Sequence, residues 1–459
     1  MIAGLKPYRE YRESGLPWVG VVPSHWELVA NRSLVRKRKV LVGNRHAKYA
    51  LLSLTKQGVI VRDITNGKGK FSSDMGTSQE VRRGDFVFCL FDVPETPRTV
   101  GLSRHDGMIT GAYTVLESLG KGSSEYFEMF YQAMDDRKLL SPLYSGLRNT
   151  IPVDRFLGTK TPLPPPSEQA AIVRFLDWAN SRLERAIRAK RKVIALLNEQ
   201  KQAIIQRAVT RGLDSSVPLK PYGIPWLGDI PQHWTIVRNL ALFAHRVRPG
   251  IEGLPVLQVS LRSGITAESL DQFGRPKRLI SDSTKYKFIR KSDLAHNTMR
   301  MWQGAVGVSP NDGLVSPAYV VLGPRQNTCP EFYDFVFHLQ EYKQQVNRES
   351  TGIVSDRNRL YWDRFKQMPN LALPIEEQKA IVAFINTTTR VQTASVSSLD
   401  REIELLHEYH RSFVSEVVTG KLDVRELSKK LPQSESIDSQ KDELDFNDES
   451  ELGFEGEAG

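Results

Sequence analysis

A chain of 459 residues with 40% hydrophobic and 25% charged residues is long enough for two or three soluble domains. No apolar run approaches the roughly 18 residues of a membrane span, residues 1–12 lack a signal-peptide core, and Cys89 and Cys329 belong to no CxxC pair or histidine cluster. These features argue against a membrane anchor, secretion, a disulfide framework and a zinc site, and the expected location is the cytoplasm. The net charge of +10 hides an asymmetry, because ten acidic residues and one basic residue follow Leu431 and leave +19 on the rest. An excess of that size suits a polyanionic partner.

Taken in chain order, the first signature is Pro17-Trp18-Val19-Gly20 followed by Pro23-Ser24-His25-Trp26. Residues 30–160 read as mixed strands and short helices, with Asp85-Phe86-Val87-Phe88-Cys89-Leu90-Phe91 as an apolar strand. Pro164-Pro165-Pro166 and Ser167 then open a stretch without Pro or Gly that stops at Gly212, which predicts one long helix. Within it Ile172, Leu176, Ala179, Leu183, Ala186, Lys190, Val193, Leu197, Gln200 and Ile204 alternate steps of four and three, the spacing of a coiled-coil seam.

The same order then returns. Pro225-Trp226-Leu227-Gly228 and Pro231-Gln232-His233-Trp234 repeat the entry signature at an offset of 208. Pro165, Glu168-Gln169, Ala171-Ile172-Val173 and Phe175 return as Pro374, Glu377-Gln378, Ala380-Ile381-Val382 and Phe384. Val209-Thr210 with Leu213-Asp214 returns as Val418-Thr419 with Leu422-Asp423. Between the signatures the kinship thins to pieces such as Asp106-Gly107 with Asp312-Gly313, Arg148-Asn149 with Arg357-Asn358, and Asp154-Arg155-Phe156 with Asp363-Arg364-Phe365. Repetition at this length reads as two equivalent domains, one fold carrying two different surfaces. The second helix, free of Pro and Gly from Ile375 to Thr419, carries a weaker seam at Ile381, Ile385, Thr388, Gln392, Ser395, Leu399, Glu402, Leu406, Tyr409 and Phe413, whose polar middle suggests an interruption. The acidic end reads as a disordered, solvated tail.

No catalytic signature stands. Gly67-Lys68-Gly69-Lys70 lacks the spacing and the hydroxyl of a phosphate loop, and Asp92-Val93-Pro94-Glu95 is no prolyl-aromatic base-flipping motif. Glu377-Gln378-Lys379 resembles the end of a metal-nuclease site, but its twin reads Glu168-Gln169-Ala170, so the helix start accounts for the acid. His407 and His410 read as a solvated helix face. The candidate nucleic-acid contacts are Arg36, Arg38, Arg62, Lys68, Lys70, Arg104 and Arg148 in the first copy, and Arg246, Arg262, Arg275, Arg278, Arg300, Arg357 and Arg359 in the second.

The paired Pro-x-His-Trp segments and paired Pro-x-x-Glu-Gln helix openings, in this order over residues 14 to about 425, resemble the specificity subunits of Type I restriction-modification systems. The resemblance implies an α+β fold class, with two mixed α/β target recognition domains separated by two long antiparallel coiled-coil helices and an internal pseudo-twofold repeat. It implies a first target recognition domain over 1–162, a long spacer helix over 163–213, a second recognition domain over 214–373 and a second spacer helix over 374–425; the acidic disordered tail over 426–459 is read from composition and departs from the family arrangement. It further implies an asymmetric bipartite double-stranded DNA target, docking of two methyltransferase subunits and of restriction/translocase subunits, and no catalytic residue, metal or cofactor on this chain. S-adenosylmethionine, ATP and Mg are then expected on the partners. Glu168, Gln169, Ile172, Leu183, Leu197, Glu377, Gln378, Ile381 and Leu406 are the expected residues of the helical spacer and partner docking. The alternative is a stand-alone nucleic-acid-modifying or nucleic-acid-cleaving enzyme with an unrecognised site.

Overall fold

The computed structural model describes residues 5–62, 75–221, 223, 227–261, 264–266, 282–352 and 358–432. It divides into two compact units, Met1–Ile187 with Glu404–Gly459, and Arg188–Ile403. Each unit is built on a four-stranded antiparallel sheet of the same order. In the first, Val35–Lys37, Thr114–Ser118, Phe86–Phe88 and Val100–Leu102 lie side by side; in the second, Phe243–Arg246, Tyr319–Pro324, Leu294–Asn297 and Val306–Val308 do. Four two-stranded ribbons also recur in matching positions, among them Glu27–Ala30 on Lys160–Leu163 and Thr235–Arg238 on Pro369–Ala372.

One face of each sheet is covered by a helix, Ser124–Asp136 in the first unit and Pro330–His338 in the second. Burial there is heavily aromatic. Phe86, Phe88, Phe127, Tyr131 and Phe156 fill the first core, and Phe243, Tyr333, Phe337, Tyr342 and Phe365 the second. A polar knot sits inside each. Asn31 Nδ2 donates to Tyr131 Oη at 2.6 Å and to the Phe156 carbonyl at 2.9 Å, while Thr161 Oγ1 donates to Asn31 Oδ1 at 2.6 Å. Asn239 repeats these bonds with Tyr342 at 2.9 Å and Phe365 at 3.0 Å, and accepts from Asn370 at 2.9 Å. A buried amide satisfied on both ends fixes one arrangement of the strands around it.

The predicted first helix is present as Pro166–Arg211, a continuous 46 residues. Gly212 ends it at φ +72°, in the left-handed region that a residue without Cβ enters at no steric cost. The seam, however, departs from the heptad reading. Beyond Leu183 the inward positions are Ile187, Lys190, Ile194, Leu197, Lys201, Ile205 and Ala208, whereas Ala186, Val193 and Gln200 face solvent. Ile172, Leu183, Ile194 and Ile205 fall at steps of eleven, three turns of a helix near its natural pitch; a strict heptad stripe holds only if the helix is wound into a left-handed supercoil.

The second helix is interrupted. Ile375–Thr388 and Arg390–Val418 are separated at Thr389, whose hydroxyl donates to the Ile385 carbonyl at 2.9 Å. Three successive threonines, β-branched and with hydroxyls that bond backbone carbonyls, weaken the helix at this point. After the break Thr389, Ile403 and half-buried His410 turn inward while Thr388, Glu402 and Tyr409 do not, and Leu399, Leu406 and Phe413 keep their expected places. Inside the second unit the two helices run antiparallel, with Lys190 on Glu402 and Lys201 Nζ 3.1 Å from Thr393 Oγ1. Inside the first, Phe175 and Phe413 meet with ring centroids 6.0 Å apart.

The segment read as the start of the tail is ordered. Arg425–Lys430 is a helix, Leu427 and Leu431 pack on the first core, and Arg174 donates to the Leu431 carbonyl at 2.8 Å. Apolar residues at these two positions give it a face to bury. The rest of the tail lies outside the described residues. The two ends of the ordered chain meet in the first unit, where the Asp423 N–H donates to the Lys6 carbonyl at 2.8 Å and Tyr11 Oη to the Lys421 carbonyl at 3.2 Å. At the close of the second helix, Gly420 leaves no room for a Cβ, which would lie 2.4 Å from Pro23.

Among the core positions at which the copies differ, one changes polarity. Where the first sheet places Phe88 against Phe156, the second places His296 against Phe365, with neither ring nitrogen bonded to a partner among the described residues. Burial holds this imidazole neutral, with its pKa pushed down to about 3. The unfolded chain binds the proton below the ordinary 6.5, so the second unit loses stability as pH falls from 6.5 toward 3, by up to about 1.4 kcal/mol per pH unit. His296→Phe is predicted to remove that slope and to add about 1 kcal/mol at neutral pH by eliminating an unsatisfied buried group. Urea midpoints at pH 7.5 and pH 5 test this, and a variant as acid-sensitive as the parent would contradict it.

Candidate nucleic-acid interface

The repeated signatures find each other across about a third of the chain. Glu168, in the first turn of its helix and 3% exposed, accepts from Trp26 Nε1 at 2.8 Å and from Tyr8 Oη, with His25 Nε2 at 2.9 Å. Glu377 repeats the arrangement with Trp234 Nε1 at 3.1 Å and His233 Nε2 at 2.9 Å. The glutamine after each glutamate fastens the sheet-covering helix. Gln169 accepts the Ser123 N–H at 2.7 Å and donates to the Pro164 carbonyl at 2.6 Å; Gln378 accepts the Cys329 N–H at 2.8 Å and donates to the Leu373 carbonyl at 2.8 Å. Glu168, Gln169, Glu377 and Gln378, expected in the helical spacer and partner docking, make these bonds within the chain. Ile172 and Ile381 are fully buried, and Leu183, Leu197 and Leu406 are half-buried on the inward stripes.

Two of the basic candidates are also internal. Arg38, with its side chain 10% exposed, pairs with Asp85 and lies 3.7 Å from Glu80; Arg246 pairs with Asp293 at 2.5 Å. Each aspartate also accepts a backbone N–H, from Arg82 at 2.7 Å and from Arg290 at 3.1 Å. Both pairs recur at the offset of 208, the mark of framework rather than of readout. The remaining described candidates reach the surface to different degrees. Arg36 pairs with Glu117 directly across the sheet, and Arg148 takes Asp92 in a two-toothed grip at 2.5 and 3.2 Å. Arg62 is half-buried, while Arg104, Arg300 and Arg359 are exposed, the last donating to Tyr361 Oη at 3.3 Å. Lys68, Lys70, Arg262, Arg275, Arg278 and Arg357 lie outside the described residues.

His407 and His410, read as a solvated face, line a cleft of about 750 Å³ in the first unit with Arg98, Asp135, Asp136 and Lys138. Burial lowers the pKa of His410. Among the described residues no three metal-binding side chains converge, and no helix is long and apolar enough to cross a membrane. The Asn31 and Asn239 knots escaped the sequence reading, although their offset of 208 was a usable signal. The aromatic groove around Trp362 in the second unit escaped it too, since its residues come from distant segments.

No protein-family model matches the chain, and no curated protein does. Among solved structures, a chain from work on complex assembly and conformational transition of the type I R-M system superposes with a TM-score of 0.58 at 14% identity, over 86% of this chain and 98% of that one. The HsdS subunit from Thermoanaerobacter tengcongensis aligns at 15% identity over 87% and 98% of the two chains, with a TM-score of 0.39. The Type-I restriction-modification system S subunit from M. genitalium aligns at 11% identity over 86% and 96%, with a TM-score of 0.33. The last two scores are too low to argue from. The first is enough for the architecture, and the chain has the fold of a chain of the type I R-M system.

Proposed function

We propose that the chain is the specificity subunit of a Type I restriction-modification system, a non-catalytic protein that reads an asymmetric, bipartite double-stranded DNA target. The observation that carries this reading is one frame built twice beneath unlike surfaces. The glutamate–tryptophan junction, the asparagine knot and the arginine–aspartate pair recur in both units. Residues around them differ between the copies, as at Lys37 and His245 or Val153 and Trp362. Two equivalent frames with different outer residues suit two half-sites of different sequence. The basic excess suits phosphate contact, with Arg104, Arg300 and Arg359 as the first candidates.

A helix of 46 residues measures about 70 Å, roughly two turns of duplex, and in this reading it sets the unread gap between the half-sites. The repeated helix pair offers equivalent docking sites for two methyltransferase subunits, to which restriction/translocase subunits add. S-adenosylmethionine, ATP and Mg belong to those partners, and the whole works in the cytoplasm. Purification tests the assignment. The chain alone transfers no methyl group and cuts no DNA, and methylation appears when the methyltransferase is added; turnover by the chain alone would instead establish the stand-alone enzyme.

A further inference from the structure

The second unit holds a groove of about 430 Å³ whose lining is specific to that copy. His245 stacks on Trp362, with centroids 5.3 Å and planes 25° apart, and its Nε2 is buried without a hydrogen-bond partner among the described residues. Lys287 and Tyr319 also line it, and Lys287 Nζ donates to the Tyr319 carbonyl at 2.6 Å. Arg359 and Tyr361, the latter 49% exposed, stand at the lip.

Strand register identifies the positions that correspond in the first unit. His245 answers to Lys37, Lys287 to Gln79 and Tyr319 to Tyr113, while Tyr361 and Trp362 answer to Pro152 and Val153 ahead of the repeated Asp-Arg-Phe. Gln79 Nε2 donates to the Tyr113 carbonyl at 2.5 Å, the same bond that Lys287 makes. The second copy therefore keeps the framework contact but makes it with a cation, which has three donors of which this bond takes one. It also sets two aromatic rings where the first has proline and valine. The framework does not need these changes, since the first unit stands without them.

The chemistry converges on one class of ligand. Aromatic faces take a planar base, guanidinium takes a phosphodiester, and an ammonium with a free imidazole nitrogen address the polar edge of a base. The volume is that of a small-ligand site. We propose that this groove takes one nucleotide of a DNA strand, its base against Tyr361 and Tyr319, its phosphate on Arg359, and its edge at Lys287 and His245. The proposal rests on the DNA-reading function above and names where the second unit would do it.

Photo-crosslinking of the full chain tests it, using random-sequence duplex and single-stranded DNA that carries 5-iodouracil, beside 5-iodo-dUMP as the free-nucleotide arm. The expected result is a DNA crosslink in the peptide around 359–363, and DNA binding weakened roughly fivefold or more by Tyr361→Ala and by Arg359→Ala, both exposed and dispensable to the core. DNA binding with crosslinks only elsewhere, and both variants within twofold of the parent, would overturn the groove while leaving the DNA-reading function intact. Absence of any DNA binding at low salt would overturn that function itself. Labelling of the groove by 5-iodo-dUMP without any by DNA would overturn the DNA source.

Discussion

Glu168→Ala is expected to cost the first unit about 3–5 kcal/mol, because it strands Trp26 Nε1 and Tyr8 Oη, two buried donors worth 1–3 kcal/mol each when unpaired. It also removes the anion facing Arg425 at 3.9 Å. The twin substitution, Glu377→Ala, is expected to cost less, about 1–2 kcal/mol, since the Glu377 side chain is 26% exposed and water reaches the groups it leaves. Hydrogen exchange in urea, read peptide by peptide, separates the two, with the peptide around Trp26 reporting on one unit and that around Trp234 on the other. Equal losses would show that the junctions do not differ as their burial implies. No loss in either would remove them from the framework.

Arg38→Ala and Arg246→Ala are expected to act on folding, although both residues look like nucleic-acid contacts in the sequence. Removing Arg38 leaves Asp85 buried beside an empty space, at about 3–5 kcal/mol. Arg246 is more open, and burial already raises the Asp293 carboxyl against the lowering influence of its guanidinium, so the stranded acid takes up a proton more readily and the cost falls to about 2 kcal/mol. Arg104→Ala and Arg300→Ala are expected to do the reverse. Stability stays within about 0.5 kcal/mol, while DNA affinity drops and the slope of log K against log salt shrinks by about one for each. Denaturation and salt-titrated DNA binding of the four variants check this. A stable Arg38→Ala protein with weakened DNA binding would contradict the division between frame and surface.

The sequence carried the long-range plan further than the local chemistry. Pro164-Pro165-Pro166 and Gly212 bound the first helix because helix ends are written in a few residues with fixed backbone demands. The offset of 208 foretold that one fold occurs twice, and the sheets have the same strand order. Past Leu183 alternate seam positions, Ala186, Val193 and Gln200, were misjudged because 3.5 and 3.6 residues per turn drift apart by about 20° each heptad, and composition alone does not say whether a helix is supercoiled. The break at Thr389 was legible in the polar runs Thr387-Thr388-Thr389 and Ser395-Val396-Ser397-Ser398, of which the first holds it. Arg38 and Arg246 read as surface charges because charge was weighed without the repeat, which pairs each with an aspartate at the same offset. The groove around Trp362 was beyond reach, since Phe243–Arg246, Lys287–Ile289, Tyr319–Pro324 and the turn before Trp362 meet only through sheet register.

The most direct measurement of the whole account is modification-sensitive sequencing of DNA from cells that carry the methyltransferase partner, with and without this gene. The account predicts methylated adenines at a split motif whose two halves differ and whose gap is constant, present only when the gene is present. Methylation unchanged by its loss, or a gain confined to one continuous short site, would contradict it.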